Sequence, residues 1–171
     1  PGFTKNRLSS VDETILAVLI VSFGIGSAAG TFLLAGVRND RRKGLILLTM
    51  GISSGISPLL LGFSFDISTA FASTLIMGAT ESVFMALTAT YVQLVTPDRL
   101  RGRVTSLYIL HAGGVMAFAN LGYGYLADIY NAPNVLIVTG ILFLVFFASM
   151  SFSDPILKSI YKGKNISALA S

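Results

Sequence analysis

The chain has 171 residues, 53% of them apolar, a mean hydropathy of +0.76, 12% charged residues and a net charge of +4. A soluble domain carries about 25% charged residues, so the composition argues for a membrane bundle and against a globular domain bathed in water. The basic residues punctuate apolar runs without base-stacking context, which excludes a nucleic-acid partner, and the lack of cysteine excludes disulfides and thiolate metal sites.

Residues 1–13 are polar and contain Lys5 and Arg7. They lack the h-region of a signal peptide and read as an extracellular or periplasmic linker. Because the chain opens on Pro1, it is expected to be a piece of a longer protein. A helix needs about 20 apolar residues to cross roughly 30 Å of hydrocarbon. Five segments meet that requirement: Thr14–Val37, Leu45–Phe65, Ile67–Val95, Val104–Ala127 and Val135–Phe152. Their apolar runs are continuous, unlike the alternation of a β-barrel strand, and no unpaired backbone can face lipid. The expected fold is therefore an all-α polytopic transmembrane bundle of five spans over residues 14–153, followed by a basic, mobile cytoplasmic tail over 154–171.

Ten of the twelve basic residues fall in three clusters: Arg38/Arg41/Arg42/Lys43, Arg99/Arg101/Arg103 and Lys158/Lys162/Lys164. Two spans separate each cluster from the next, so all three can lie on one face. The positive-inside rule assigns that face to the cytoplasm, leaving the N-terminus outside and the C-terminus inside. The tripeptide Asn165-Ile166-Ser167 has the form of a glycosylation acceptor, but on this topology it faces the cytosol and reads as chance.

Within the spans, Gly24, Gly26 and Gly30 crowd the first. Gly26 and Gly30 form a small-xxx-small pair that lets two helix backbones approach closely. Gly113, Ala117, Asn120 and Gly124 mark a similar small face on the fourth span. Pro58 deprives the Ser54 carbonyl of its helical partner, and Ser53, Ser54 and Ser57 are placed to satisfy the freed groups, which predicts a kink.

Glu81 lies in mid-span, where an ionised carboxylate costs about 2.5–3.5 kcal/mol. Thr74, Glu81 and Thr88 are spaced by seven, on one helical face expected to turn toward a polar cavity. Two readings stay open: a protonated Glu bonded to a neighbouring helix, or a proton- or cation-binding carboxylate on a transport path. His111 is the chain's one histidine, and an ordinary imidazole suits a proton relay as readily as a packing role. With Glu81 and His111 both within spans, a coupled pair is one hypothesis. Catalytic motifs and metal-ligand spacings are lacking, so neither an enzyme nor a cofactor is expected.

The stretch Phe23-Gly24-Ile25-Gly26-Ser27-Ala28-Ala29-Gly30, running into Gly36-Val37-Arg38-Asn39-Asp40-Arg41-Arg42-Lys43-Gly44, resembles helices eight and nine of the major facilitator superfamily with their cytoplasmic loop signature. Gly36, Asp40 and Arg41 match that signature; the following glycine is displaced to Gly44. Gln93-Leu94-Val95-Thr96-Pro97-Asp98-Arg99-Leu100-Arg101-Gly102-Arg103-Val104-Thr105-Ser106-Leu107-Tyr108 is similar to the loop between helices ten and eleven. There the likeness is closest to the branch of enterobactin exporters and macrolide-efflux proteins. Leu121-Gly122-Tyr123-Gly124-Tyr125-Leu126-Ala127-Asp128 resembles the outer end of helix eleven.

The resemblance implies an incomplete C-terminal half, helices eight to twelve, of a cell-membrane secondary transporter. Its partners would be the lipid bilayer, the missing N-terminal half and a small-molecule substrate. It further implies proton-coupled efflux of small amphiphilic molecules by alternating access, with Gly36, Asp40, Arg41, Asp98, Arg101 and Arg103 in cytoplasmic latches. Thr74, Glu81, Thr88, His111 and Asn120 are the candidates for the substrate or proton pathway. Two rivals remain: a transporter-derived scaffold or assembly protein, and an intramembrane lipid-processing enzyme using Glu81 and His111 as acid and base.

Overall fold

A computed structural model of the chain describes residues 13–37 and 39–161, excluding the side chains of Glu13, Asp40, Arg41, Pro155 and Ile156. The N-terminal linker, Arg38, Lys162, Lys164 and the tripeptide at 165–167 lie outside the described residues. The latch reading of Asp40 and Arg41 concerns side chains that are likewise outside the description.

Among the described residues six helices follow one another: α1 (Glu13–Ala35), α2 (Asp40–Gly62), α3 (Ile67–Val95), α4 (Asp98–Tyr130), α5 (Ala132–Ser153) and α6 (Pro155–Tyr161). Among the described residues there is no strand. The first five helices are each long and apolar enough to cross a membrane. The all-α five-span bundle expected from the sequence is therefore the observed fold.

The connectors are tighter than the sequence implied. Helix α4 opens at Asp98, directly after Pro97, and carries Arg99, Arg101 and Arg103 on its first two turns. The second basic cluster is thus helical rather than a loop. Pro97 has φ −54°, a fixed φ suited to a helix start, and an acidic residue at the N-terminus complements the helix dipole. At the other end α4 runs to Tyr130, leaving Asn131 as the whole connector to α5. Asn131 has φ 67°, a left-handed conformation that asparagine tolerates better than most side chains, and Pro133 follows in the first turn of α5. The start of α3 is fixed by Thr69: its hydroxyl accepts from the Asp66 N–H at 3.3 Å and donates to the Asp66 carbonyl at 2.9 Å.

Glycine organises the packing. A Cβ on Gly26 would collide with the Leu75 carbonyl, one on Gly30 with the Ala79 backbone, and one on Gly78 with the Phe23 carbonyl. Helices α1 and α3 therefore touch backbone to backbone. The approach is close enough for crossed hydrogen bonds: Ser27 Oγ donates to the Gly78 carbonyl and Ser82 Oγ to the Ser27 carbonyl, each at 3.1 Å. The Gly26/Gly30 pair acts as its spacing predicts, whereas Gly24 has open space around it.

A second glycine seam, which the sequence reading did not single out, joins α2 to α5. Gly51 receives the Phe147 ring, Gly55 receives Leu144 and Phe143, and Gly140 meets the Gly55 carbonyl and Leu59. The three rings Phe84, Phe143 and Phe147 lock α3 to α5, with Phe84 edge-on to the other two at 6.1 and 5.7 Å. Helix α2 passes unbroken through Pro58. The Ser57 hydroxyl takes up the Ser54 carbonyl at 3.4 Å, the local compensation expected for a membrane proline.

Two expectations are corrected. Within the tail, Pro155–Tyr161 forms helix α6, in which Ile160 is buried in a core cluster with Leu47, Val83, Leu87 and Tyr91. Leu157, Ile160 and Tyr161 fall at i, i+3 and i+4, which makes one apolar stripe on even a short helix. The small face of α4 is also not packed: Gly113 and Gly124 have nothing near them, and none of the α4 residues is buried. Helix α4 touches its neighbours α3 and α5 only lightly.

Candidate functional site

Because α4 stands off from the other helices, a cleft of about 710 Å³ opens between it and the α3/α5 wall. Glu81 is the middle residue of α3, so its carboxylate reaches the cleft far from both helix ends. The α3 wall is built by Met77, Glu81, Phe84 and Met85. These positions recur at i, i+4, i+7 and i+8 and make a continuous helical stripe. From α4 come His111, Met116, Asn120 and Tyr123, and from α5 Val135 and Phe143. Phe23 of α1 and Pro58 of α2 reach the same space.

The cleft is mainly apolar and aromatic, with a small number of polar groups. Glu81 is half-buried, whereas His111 and Asn120 are exposed on the flank of α4. Among the described residues, neither the Glu81 carboxylate nor the His111 imidazole has a hydrogen-bond or ion-pair partner. No buried side-chain oxygen or nitrogen among the described residues lacks a partner, so the Glu81 oxygens open onto the cleft. A carboxylate facing a confined apolar space attracts a proton or a cation, since either removes most of the cost of the charge.

The structure gathers three of the five pathway candidates, Glu81, His111 and Asn120, around one space. Thr74 and Thr88 do not join them. The Thr74 hydroxyl is buried and donates to the Ala70 carbonyl at 2.7 Å, and the Thr88 hydroxyl donates to the Phe84 carbonyl at 2.8 Å. The expected polar face at spacing seven is therefore not the cleft wall. An α-helix drifts about 20° per seven residues, and both hydroxyls find acceptors one turn back on their own helix. Met77, Phe84 and Met85 were not singled out from the sequence, although their helical spacing about Glu81 carried the signal.

At the end of the bundle where α4 begins, Asp98 pairs with Arg101 of the same helix at 2.6 Å. Their side chains are 87% and 50% exposed, and exposed pairs of this kind contribute about 0.2–1 kcal/mol. Two members of the supposed latch thus satisfy each other locally. Arg103 is exposed on the next turn, and Gly36 is exposed where the chain leaves α1. There the Gly36 N–H donates to the Leu33 carbonyl at 3.3 Å.

The sequence matches the Major Facilitator Superfamily over residues 5–164. It is also similar to the arabinose-proton symporter of Bacillus subtilis (strain 168), with 32% identity over 112 residues. That match covers 64% of this chain and 23% of the symporter, so the chain spans about a quarter of its relative's length. No solved structure matches. The five spans, their glycine-closed packing and a family match across almost the whole chain lead to one conclusion: this is a multi-pass membrane protein that belongs to the Major Facilitator Superfamily.

Proposed function

We propose that the chain supplies helices eight to twelve, within the C-terminal half, of a secondary transporter in the cell membrane. It works by alternating access, couples to protons through Glu81 and exports small amphiphilic molecules. One observation carries the reading: a carboxylate at the midpoint of α3 opens onto an apolar cleft. Substrate sites of secondary transporters lie near the bilayer midplane, and an intramembrane ionisable residue marks a proton or substrate path. His111, Asn120 and Tyr123, on the opposite wall, are polar groups available to orient a substrate. The basic clusters support a topology with the N-terminus outside and the C-terminus in the cytosol. In this reading the open small face of α4 meets the remainder of the transporter, and Arg101 and Arg103 face the cytosol.

A second reading comes from the relative that is a proton symporter for arabinose: uptake of a sugar with protons. A sugar presents many hydroxyls, each of which needs a partner on leaving water. The cleft offers Ser54, Glu81, His111, Asn120, Tyr123 and Thr139, whose hydroxyl already donates to the Val135 carbonyl, and its other side chains are apolar, which favours the amphiphile. Proteoliposomes holding the full-length transporter and a trapped pH dye separate the readings. Proton movement on adding a hydrophobic quaternary ammonium, which has no free base to cross the bilayer unaided, supports the first, and proton movement on adding arabinose supports the second. No movement with either favours a scaffold role.

A further inference from the structure

A second apolar groove lies farther toward the C-terminal end of α5, where helix α6 packs against the bundle, and it shares no lining residue with the Glu81 cleft. Its volume is about 700 Å³. Leu48 and Ile52 of α2 form one wall, and Leu144 and Phe147 of α5 form the other. From Leu144 to Phe152 it runs about 12 Å along α5, at 1.5 Å per residue. One end is capped by Lys158 and Tyr161 of α6.

The polar end is held in place. Tyr161 and Ser151 share a hydrogen bond at 3.2 Å, Ile160 is buried in the core, and Asp154 Oδ1 accepts from the Leu157 N–H at 3.4 Å. Gly44, in the first turns of α2, lies against the Ile160 carbonyl, which brings the exposed Arg42 to the same end of the bundle. Lys158 is exposed and, among the described residues, joins no ion pair. The groove lining contains no carboxylate. Its outer lip, Phe152, is 77% exposed.

We infer that this groove binds one anionic glycerophospholipid of the leaflet flanking α6, with an acyl chain between α2 and α5 and the headgroup phosphate on Lys158. Complementarity decides the occupant. The long wall offers only apolar contact, as an acyl chain requires, and the charge at its end is positive. That charge sits just past the last turn of a membrane-spanning helix, at headgroup depth. Basic pockets between helices at this depth bind anionic headgroups. A soluble phosphate would leave the apolar wall unused, and a zwitterionic lipid brings a phosphate whose charge is already offset by its own ammonium group, which weakens its hold on Lys158.

The test is native mass spectrometry of the full-length transporter, delipidated and then offered equal amounts of phosphatidylglycerol and phosphatidylcholine with identical acyl chains. The wild type is expected to retain phosphatidylglycerol preferentially. Lys158→Gln should reduce phosphatidylglycerol retention about fivefold and phosphatidylcholine retention by clearly less, whereas Lys158→Arg should keep the preference. Ala148→Phe, which fills the groove, should reduce retention of both lipids. Lys158 and Ala148 are both exposed, so each variant should melt with the wild type. Equal retention of phosphatidylglycerol by wild type and Lys158→Gln would overturn the inference. So would an unaltered Ala148→Phe, or competition by free glycerol 3-phosphate as effective as that by the lipid.

Discussion

The contact between α1 and α3 and the environment of α4 are built from similar sequences and have opposite outcomes. Gly26, Gly30 and Gly78 draw two backbones together so tightly that no side chain fits between them. Gly113 and Gly124 present the same kind of small surface, and among the described residues nothing comes within 4 Å of a Cβ placed on either. In lipid no hydrophobic force drives helices together, so close packing and interhelical hydrogen bonds must do so. The α1/α3 seam has both, through Ser27 and Ser82. Among the described residues helix α4 has neither, and its distance from the bundle opens the cleft beside Glu81. A small-residue motif thus states that a helix can be approached closely, without stating by what.

The comparison is most easily broken at the glycines. Gly78→Val should destabilise the protein by about 1–3 kcal/mol, the usual cost of overpacking, because its Cβ meets the Phe23 backbone. Gly124→Val should change the stability of this bundle by less than about 0.5 kcal/mol. Thermal unfolding in detergent reads both, and equal losses would erase the distinction between the two regions.

The next largest effect concerns the cleft that the open helix creates. Glu81→Gln should lower proton-coupled flux in proteoliposomes by about tenfold or more, about 1.4 kcal/mol at the transport barrier, with expression and melting unchanged. Coupled flux at the wild-type rate would remove Glu81 from the mechanism.

Smaller effects sharpen the account of the seam. Ser27→Ala deletes the bond to Gly78 and should cost about 0.6 kcal/mol, the average measured for such bonds in membrane proteins, as read by denaturation in mixed micelles. Arg101→Ala is an effect of similar size. It breaks an exposed pair with Asp98 and should cost less than about 1 kcal/mol of stability. In the full transporter it should slow transport while leaving insertion intact; lost insertion would assign Arg101 to topology instead.

The number of spans and their order were legible because each is a long apolar run with no alternative way to satisfy its backbone in lipid. Gly26/Gly30 and the compensation around Pro58 were legible for the same local reason. The start of α4 was not, because Arg99, Arg101 and Arg103 look like a loop when charge alone is counted; Pro97-Asp98 was the better signal. Helix α6 was hidden by its charged neighbours, although Leu157, Ile160 and Tyr161 already form a stripe. Of the pathway candidates, Glu81, His111 and Asn120 meet at one cleft because they lie on the facing walls of α3 and α4. Thr74 and Thr88 fail for a reason that spacing alone conceals: a threonine within a helix can return its hydroxyl to its own backbone.

The cleft beside Glu81 is the claim on which the functional account rests, and cysteine scanning tests it directly, since this chain contains no native cysteine. In the full-length transporter on a cysteine-free background, Met77→Cys and Asn120→Cys should react with a small water-soluble maleimide, and a transported amine should slow that reaction. Thr74→Cys and Thr88→Cys should stay unmodified. Labelling at positions 74 and 88 with protection at 77 and 120 would contradict the account.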